Sequence, residues 1–209
     1  MKRNYQIELE NELSRVSGVQ RLLLHACCAP CSSYVLEYLT RYFDITLYFC
    51  NPNITDPAEY EKRLSELKRL AGVLPHENRI DVIDAGYSPE KFYELAKGRE
   101  ELPEGGARCF DCYRLRLTKT ADFFASRRDD FDFFATTLTV SPHKNAEKLN
   151  EIGFELAGKY RLSWLPSDFK KREGYKRSIE LSRIYSLYRQ DYCGCEFSRR
   201  LRHPEVYND

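Results

Sequence analysis

Eight cysteines occur among 209 residues, and most of them are grouped. Cys27, Cys28 and Cys31 form a trio, Cys109 and Cys112 a Cys-X-X-Cys pair, and Cys193 and Cys195 a Cys-X-Cys pair; Cys50 stands alone. Thiols at such spacing usually do metal or redox chemistry. Structural zinc, an iron–sulfur cluster and a redox disulfide are the three common uses. Zinc wants four tetrahedral ligands. Cys28/Cys31 with Cys109/Cys112 make a formal set, but 77 residues lie between its halves, and it gives Cys27 and the Cys-X-Cys pair no role. An iron–sulfur cluster also takes four thiolates. Cys27 and Cys28 can supply two if the chain turns sharply, which Pro30 favours, and Cys109 and Cys112 two more. A helix starting at that second pair would stabilise the cluster's negative charge, and Arg108 and Arg114 could add to this. Cys31 is then a buried thiol under the helix or a ligand to something beside the cluster, and Cys50 a small apolar core residue.

Cys193-Gly194-Cys195 reads differently. Two cysteines one residue apart can close only a small, strained disulfide, and strained disulfides have more oxidising potentials. Gly194 gives such a ring its backbone freedom. A fragile, reversible bond suits two-electron chemistry; a second metal held by both sulfurs is the other reading.

These groups need elements to position them. Hydrophobic residues make up 42% of the chain, enough for one sizeable core, and charged residues 31%. No apolar run has the roughly 20 residues a membrane helix needs, and the first twenty residues lack the apolar stretch of a secretory signal. The expected compartment is the cytosol, where thiols stay reduced. Apolar spacing predicts an N-terminal helix within residues 1–20 and a single α/β domain over 21–209. Five strands are expected, at Arg21–His25, Asp44–Phe49, Ile80–Ile83, Phe131–Thr136 and Leu162–Leu165, with helices between them and no clear period after Gln190. This alternation predicts a parallel, Rossmann-like sheet with helices on both faces. Right-handed crossovers put all strand-to-helix loops on one edge. CCAPC, CNPNITDP and TLTVSPH should therefore converge there.

Charge is uneven. Residues 1–105 hold 13 basic and 17 acidic side chains; residues 161–202 hold 11 and 5. A basic C-terminal third rich in tyrosine can face nucleic acid, although a solvated surface has the same composition.

LLLHACCAPCS, FCNPNI, RCFDCYRLRL, TTLTVSPHKN, WLPSDFKKREGYKRSIELSR and YRQDYCGCEFS, in this order from about Leu22 to Ser198, resemble the cobalamin-independent epoxyqueuosine reductase family. The resemblance implies an adenine-nucleotide-hydrolase-like fold and an iron–sulfur oxidoreductase that reduces epoxyqueuosine to queuosine at the wobble position of tRNA. It implies a 4Fe–4S cluster on Cys27, Cys28, Cys109 and Cys112, with room for an additional mononuclear iron, and a redox-active disulfide at Cys193 and Cys195. An electron donor, not identifiable from sequence, is required. Asp191, Tyr192 and His25 are candidates to protonate the departing oxygen, Asp191 foremost. Asp111 is a candidate to orient the cluster. Lys170, Lys171, Arg172, Lys176 and Arg177 are the densest candidate RNA-binding group, and Tyr175, Tyr185, Tyr188 or Tyr192 could stack on unpaired bases. Two rival readings remain. An ATP-using PP-loop enzyme would need a glycine-rich phosphate loop after the first strand, where CCAPC has no glycine. A zinc-stabilised RNA-binding module would be colourless where an iron–sulfur protein is brown.

Overall fold

In the computed structural model, which describes residues 3–204, four parallel strands form one sheet in the order β3-β2-β1-β4. The strands are β1 (Gln20–His25), β2 (Phe43–Phe49), β3 (Ile80–Asp84) and β4 (Phe133–Thr136). Residues 1, 2 and 205–209, at the outer ends of the two expected units, lie outside the described residues. The unbroken Leu22–Leu24 run suits a central strand covered on both faces. Leu22 and Leu24 enter one core with Val35, Leu36 and Leu39 of α2 (Ala29–Leu39) and Leu64, Leu67 and Leu70 of α3 (Pro57–Val73). Leu23 enters the other with Leu117, Ala121 and Phe124 of α5 (Ala107–Ala125) and Leu149, Ile152 and Leu156 of α6 (Ala146–Tyr160). The N-terminal helix α1 (Tyr5–Leu13) buries Leu9 and Leu13 in the first core. A short helix α4 (Glu90–Ala96) precedes α5, and α7 (Gly174–Ile184) packs along α2.

Two expectations fail. The sheet has four strands, not five: Trp164 makes a single parallel bridge to Phe134, with Phe134 N donating to Ser163 O and Leu165 N to Phe134 O, each at 2.9 Å. Pro166 has no N–H to extend the ladder, and β4 itself ends at Thr136. The stretch after Gln190 also contains a helix, α8 (Glu196–Arg202). Seven residues are too few to show a period. Its start is fixed by Cys195, whose sulfur accepts from Ser198 N at 3.4 Å.

The segment after Trp164 is held by one side chain. Asn150, fully buried on α6, donates to Ala146 O and Ser167 O and accepts from Trp164 Nε1 and Ser167 N. Gly153, one turn on, has no Cβ because one would lie 2.2 Å from the Trp164 ring. Asn150→Ala strands two buried donors, so it should destabilise the fold by about 2–4 kcal/mol, read from the urea midpoint.

Candidate active site

Three loops end at one edge of the sheet, as parallel topology requires. The first follows β1 and carries the trio. The sulfurs of Cys27, Cys28 and Cys31 all lie within 4.8 Å of one another, with Cys27 and Cys28 at 3.6 Å. Cys28 occupies the N-cap of α2 and caps nothing with its side chain. Thiol hydrogen bonds from Cys28 and Cys31, with Arg116 adding its charge, drive the Cys27 pKa well down; burial and the Cys27 contact push Cys28 up to about 12. One sulfur of the group thus carries the negative charge.

The second pair sits in the first turn of α5. Cys109 and Cys112 are buried, and Gly106 at the N-cap offers no side chain to the free N–H groups. Cys109 shares its apolar cluster with Cys27 and Cys50, and Cys112 shares one with Cys193 and Cys195. Cys50 is a core residue, as expected, and burial raises its pKa to about 11.

The third group is a turn. The sulfurs of Cys193 and Cys195 stand 3.5 Å apart as free thiols. Gly194 has φ +113°, and a Cβ there would lie 2.9 Å from Ile54 Cγ1. The turn is latched to the loop after β2: Asn53 Nδ2 donates to Cys193 O at 3.1 Å and Thr55 N to Gly194 O at 3.1 Å. Arg63 of α3, held by Glu59, donates to Cys193 O and Tyr192 O at 3.2 Å each. The Cys195 contact and Lys144 lower the Cys193 pKa well below the thiol range, and the same contact raises Cys195. A cleft of about 260 Å³ lies between the first and third groups, with Cys27, Cys31, Arg63, Lys144, Tyr192 and Cys193 in its wall.

A family model described as epoxyqueuosine reductase QueH matches residues 22–201. The chain belongs to this family. An epoxyqueuosine reductase QueH of Streptococcus pyogenes serotype M1 is 43% identical over 188 residues, covering 87% of this chain and 71% of that one. The Staphylococcus epidermidis protein of that name is 44% identical over 182 residues, 85% of this chain and 76% of its own. The Thermotoga maritima one is 35% identical over 194 residues, 88% and 95%. The match to the QueH family spans all three cysteine groups, and it ends within α8.

The structure redistributes several side chains around this family's site. His25 is fully buried: Nδ1 lies 2.8 Å from Thr136 Oγ1, and Nε2 lies 3.2 Å from Cys50 O and 3.3 Å from Arg116 Nε. Burial and Arg116 push its pKa down to about 3, which opposes a charged imidazolium there. Asp191 lines the cleft, with its carboxylate 2.8 Å from His203 Nε2. Asp111 turns outward to pair with Arg99, and Arg114 pairs with Glu155; Arg108 donates to the carbonyls of Arg99 and Glu100 and pins the 98–105 loop. From α5, Arg108 adds its charge at Cys109, and Arg116, one turn beyond Cys112, adds its charge at Cys27 and Cys112. An i, i+4 reading from Cys112 would have found Arg116. Arg63 and Lys144 were missed, although Lys144 lies inside the quoted block TTLTVSPHKN; only the fold brings them to the cleft.

Of the five basic candidates, Lys170 pairs with Asp168, Arg172 with Glu10, Lys176 with Glu173, and Arg177 with Glu37 and Glu180. Lys171 is exposed and, among the described residues, makes no ion pair. Lys170 and Lys171 line a groove beside the cleft, and Lys144 forms part of both walls. Tyr175 and Tyr192 line the cleft; Tyr188 donates to Glu59, and Tyr185 packs on the first core.

Proposed function

We propose that this protein is an epoxyqueuosine reductase acting at the wobble position of tRNA. One observation carries the reading: Cys27, Cys31 and Cys193, from distant parts of the chain, line a single cleft, and Cys109 and Cys112 share apolar clusters with sulfurs of both those groups. Removing an epoxide oxygen to leave an alkene takes two electrons and two protons and releases water. The Cys193–Cys195 pair supplies the two electrons when it closes to a disulfide. An external donor must then reset the pair.

The donor set suits a 4Fe–4S cluster on Cys27, Cys28, Cys109 and Cys112. These thiols lie at the N-terminal ends of two helices that no side chain caps, and buried Arg63, Arg116 and Lys144 balance negative charge on sulfur. When bound, such a cluster would supply single electrons, and the Cys193–Cys195 pair can store two. An additional iron beside the cluster, with Cys31 nearby, is compatible with the trio. The chain's own residues do the rest. Arg63 fixes the Cys-Gly-Cys turn through its carbonyls. Tyr175 and Tyr192 offer rings to a splayed base. Asp191 and Tyr192 remain the candidates to return a proton at the cleft mouth.

Anaerobically purified protein, with a reductant and epoxyqueuosine-bearing tRNA, should give queuosine, read by mass spectrometry of the digested nucleosides as loss of one oxygen. Brown, iron-loaded protein that leaves the nucleoside intact would refute the reading. Among the described residues, no helix is long and apolar enough to cross a membrane. For RNA contact, Lys171→Glu should weaken tRNA binding and reduce the slope of log affinity against log salt by about 1, measured by filter binding across salt concentrations.

A further inference from the structure

Most cations of the cleft are committed to the protein. Arg63 donates to Glu59 and two carbonyls, Arg116 to His25 and Asn51, and Arg189 to Ser182. Lys144 is different. Its side chain is 12% exposed, its ammonium stands 3.7 Å from Glu104 Oε1, and among the described residues that ammonium donates no hydrogen bond. Beyond its ion pair with Glu104, the Lys144 ammonium keeps donor capacity that a ligand oxygen could use.

The surroundings decide which oxygen. Burial opposes the charge on Lys144, but Cys193, Tyr113, Glu104 and Cys109 outweigh it and raise the pKa. Lys144 and Cys193 line the same cleft. A phosphate there would meet the negative charge of Cys193 and Glu104, whereas a neutral ether oxygen would not. Phosphates are better served by Arg202, which also lines the cleft.

We propose that Lys144 is a catalytic residue whose ammonium donates a hydrogen bond to the epoxide oxygen and stabilises the negative charge that collects there. This rests on the reductase reading above. Two carbon–oxygen bonds break and a carbon–carbon double bond forms. The Cys193 thiolate and Cys195 thiol are oxidised to a disulfide and give two electrons; the Cys195 proton and one from solvent at the cleft mouth leave with the oxygen as water. Lys144 ends the cycle as the ammonium it began. Pre-positioned donors aimed at developing oxyanions are worth about 10²–10³-fold in rate.

The test is Lys144→Ala in the iron-loaded protein, assayed on epoxyqueuosine-bearing tRNA. Expected are a kcat lower by about 10²–10³-fold, tRNA affinity within about twofold of the parent because uniform binding is untouched, unchanged iron content, and partial recovery of rate with added methylammonium. Weaker tRNA binding at unchanged kcat would make Lys144 a backbone anchor and overturn the proposal. Lost iron would make its role structural and overturn it too. An active parent with an equally active variant overturns this assignment alone; an iron-loaded parent that does not reduce the substrate overturns the reductase reading and this assignment with it.

Discussion

Cys193→Ser and Cys195→Ser are each expected to lower turnover by at least about 10³-fold while the protein keeps the parent's iron. The physical ground is the separation of tasks among the sulfurs. Cys193 and Cys195 are 3.5 Å apart on a turn whose backbone, not its side chains, is latched to Asn53, Thr55 and Arg63. Serine preserves every one of those hydrogen bonds. It removes only the ability to form a disulfide and store an electron pair. Fold and tRNA affinity should therefore survive. Iron analysis and turnover measured on one preparation check the claim. Iron lost together with activity would make the pair metal ligands instead, the alternative that its close spacing had left open.

Cys109→Ser and Cys112→Ser are expected to give pale protein with a small fraction of the parent's iron and no turnover, whereas Cys31→Ser should stay brown. This contrast decides between two sulfur groupings. By proximity alone Cys27, Cys28 and Cys31 belong together, since all three sulfurs lie within 4.8 Å. By charge and helix placement Cys109 and Cys112 are the better completion: they are buried at a second uncapped helix start, and each shares a cluster with sulfurs from another group. Colour and iron content of the three variants measure the outcome. A colourless Cys31→Ser protein beside an iron-loaded Cys109→Ser protein would establish the trio as the binding set.

Much of this was legible before any coordinates. The Leu22–Leu24 run, the helical stripes and the short Cys spacings are local signals, and local signals fixed the parallel sheet, the shared edge and the cysteine groups. What escaped was set by tertiary contact. Leu162–Leu165 has strand-like residues, yet Pro166 and the early end of β4 leave it one bridge. The turn at Cys193 has no period because partners more than a hundred residues away hold it. Arg108, Arg114 and Arg116 look alike in sequence, and only helix phase and neighbours send the first two to carbonyls and Glu155 and the third to His25 and Asn51. The basic stretch 170–177 was read as a group that could face RNA, but four of its five cations face carboxylates, Lys170 facing Asp168 as the sequence suggested.

The latch between Arg63 and the Cys-Gly-Cys turn also orders events on the ribosome. Every strand, and both proposed halves of the metal-binding set, leave the exit tunnel before Cys193 does. A nascent chain can thus fold its scaffold before Cys193 emerges, and the proposed electron store takes shape only when the segment that carries it docks on Asn53, Thr55 and Arg63.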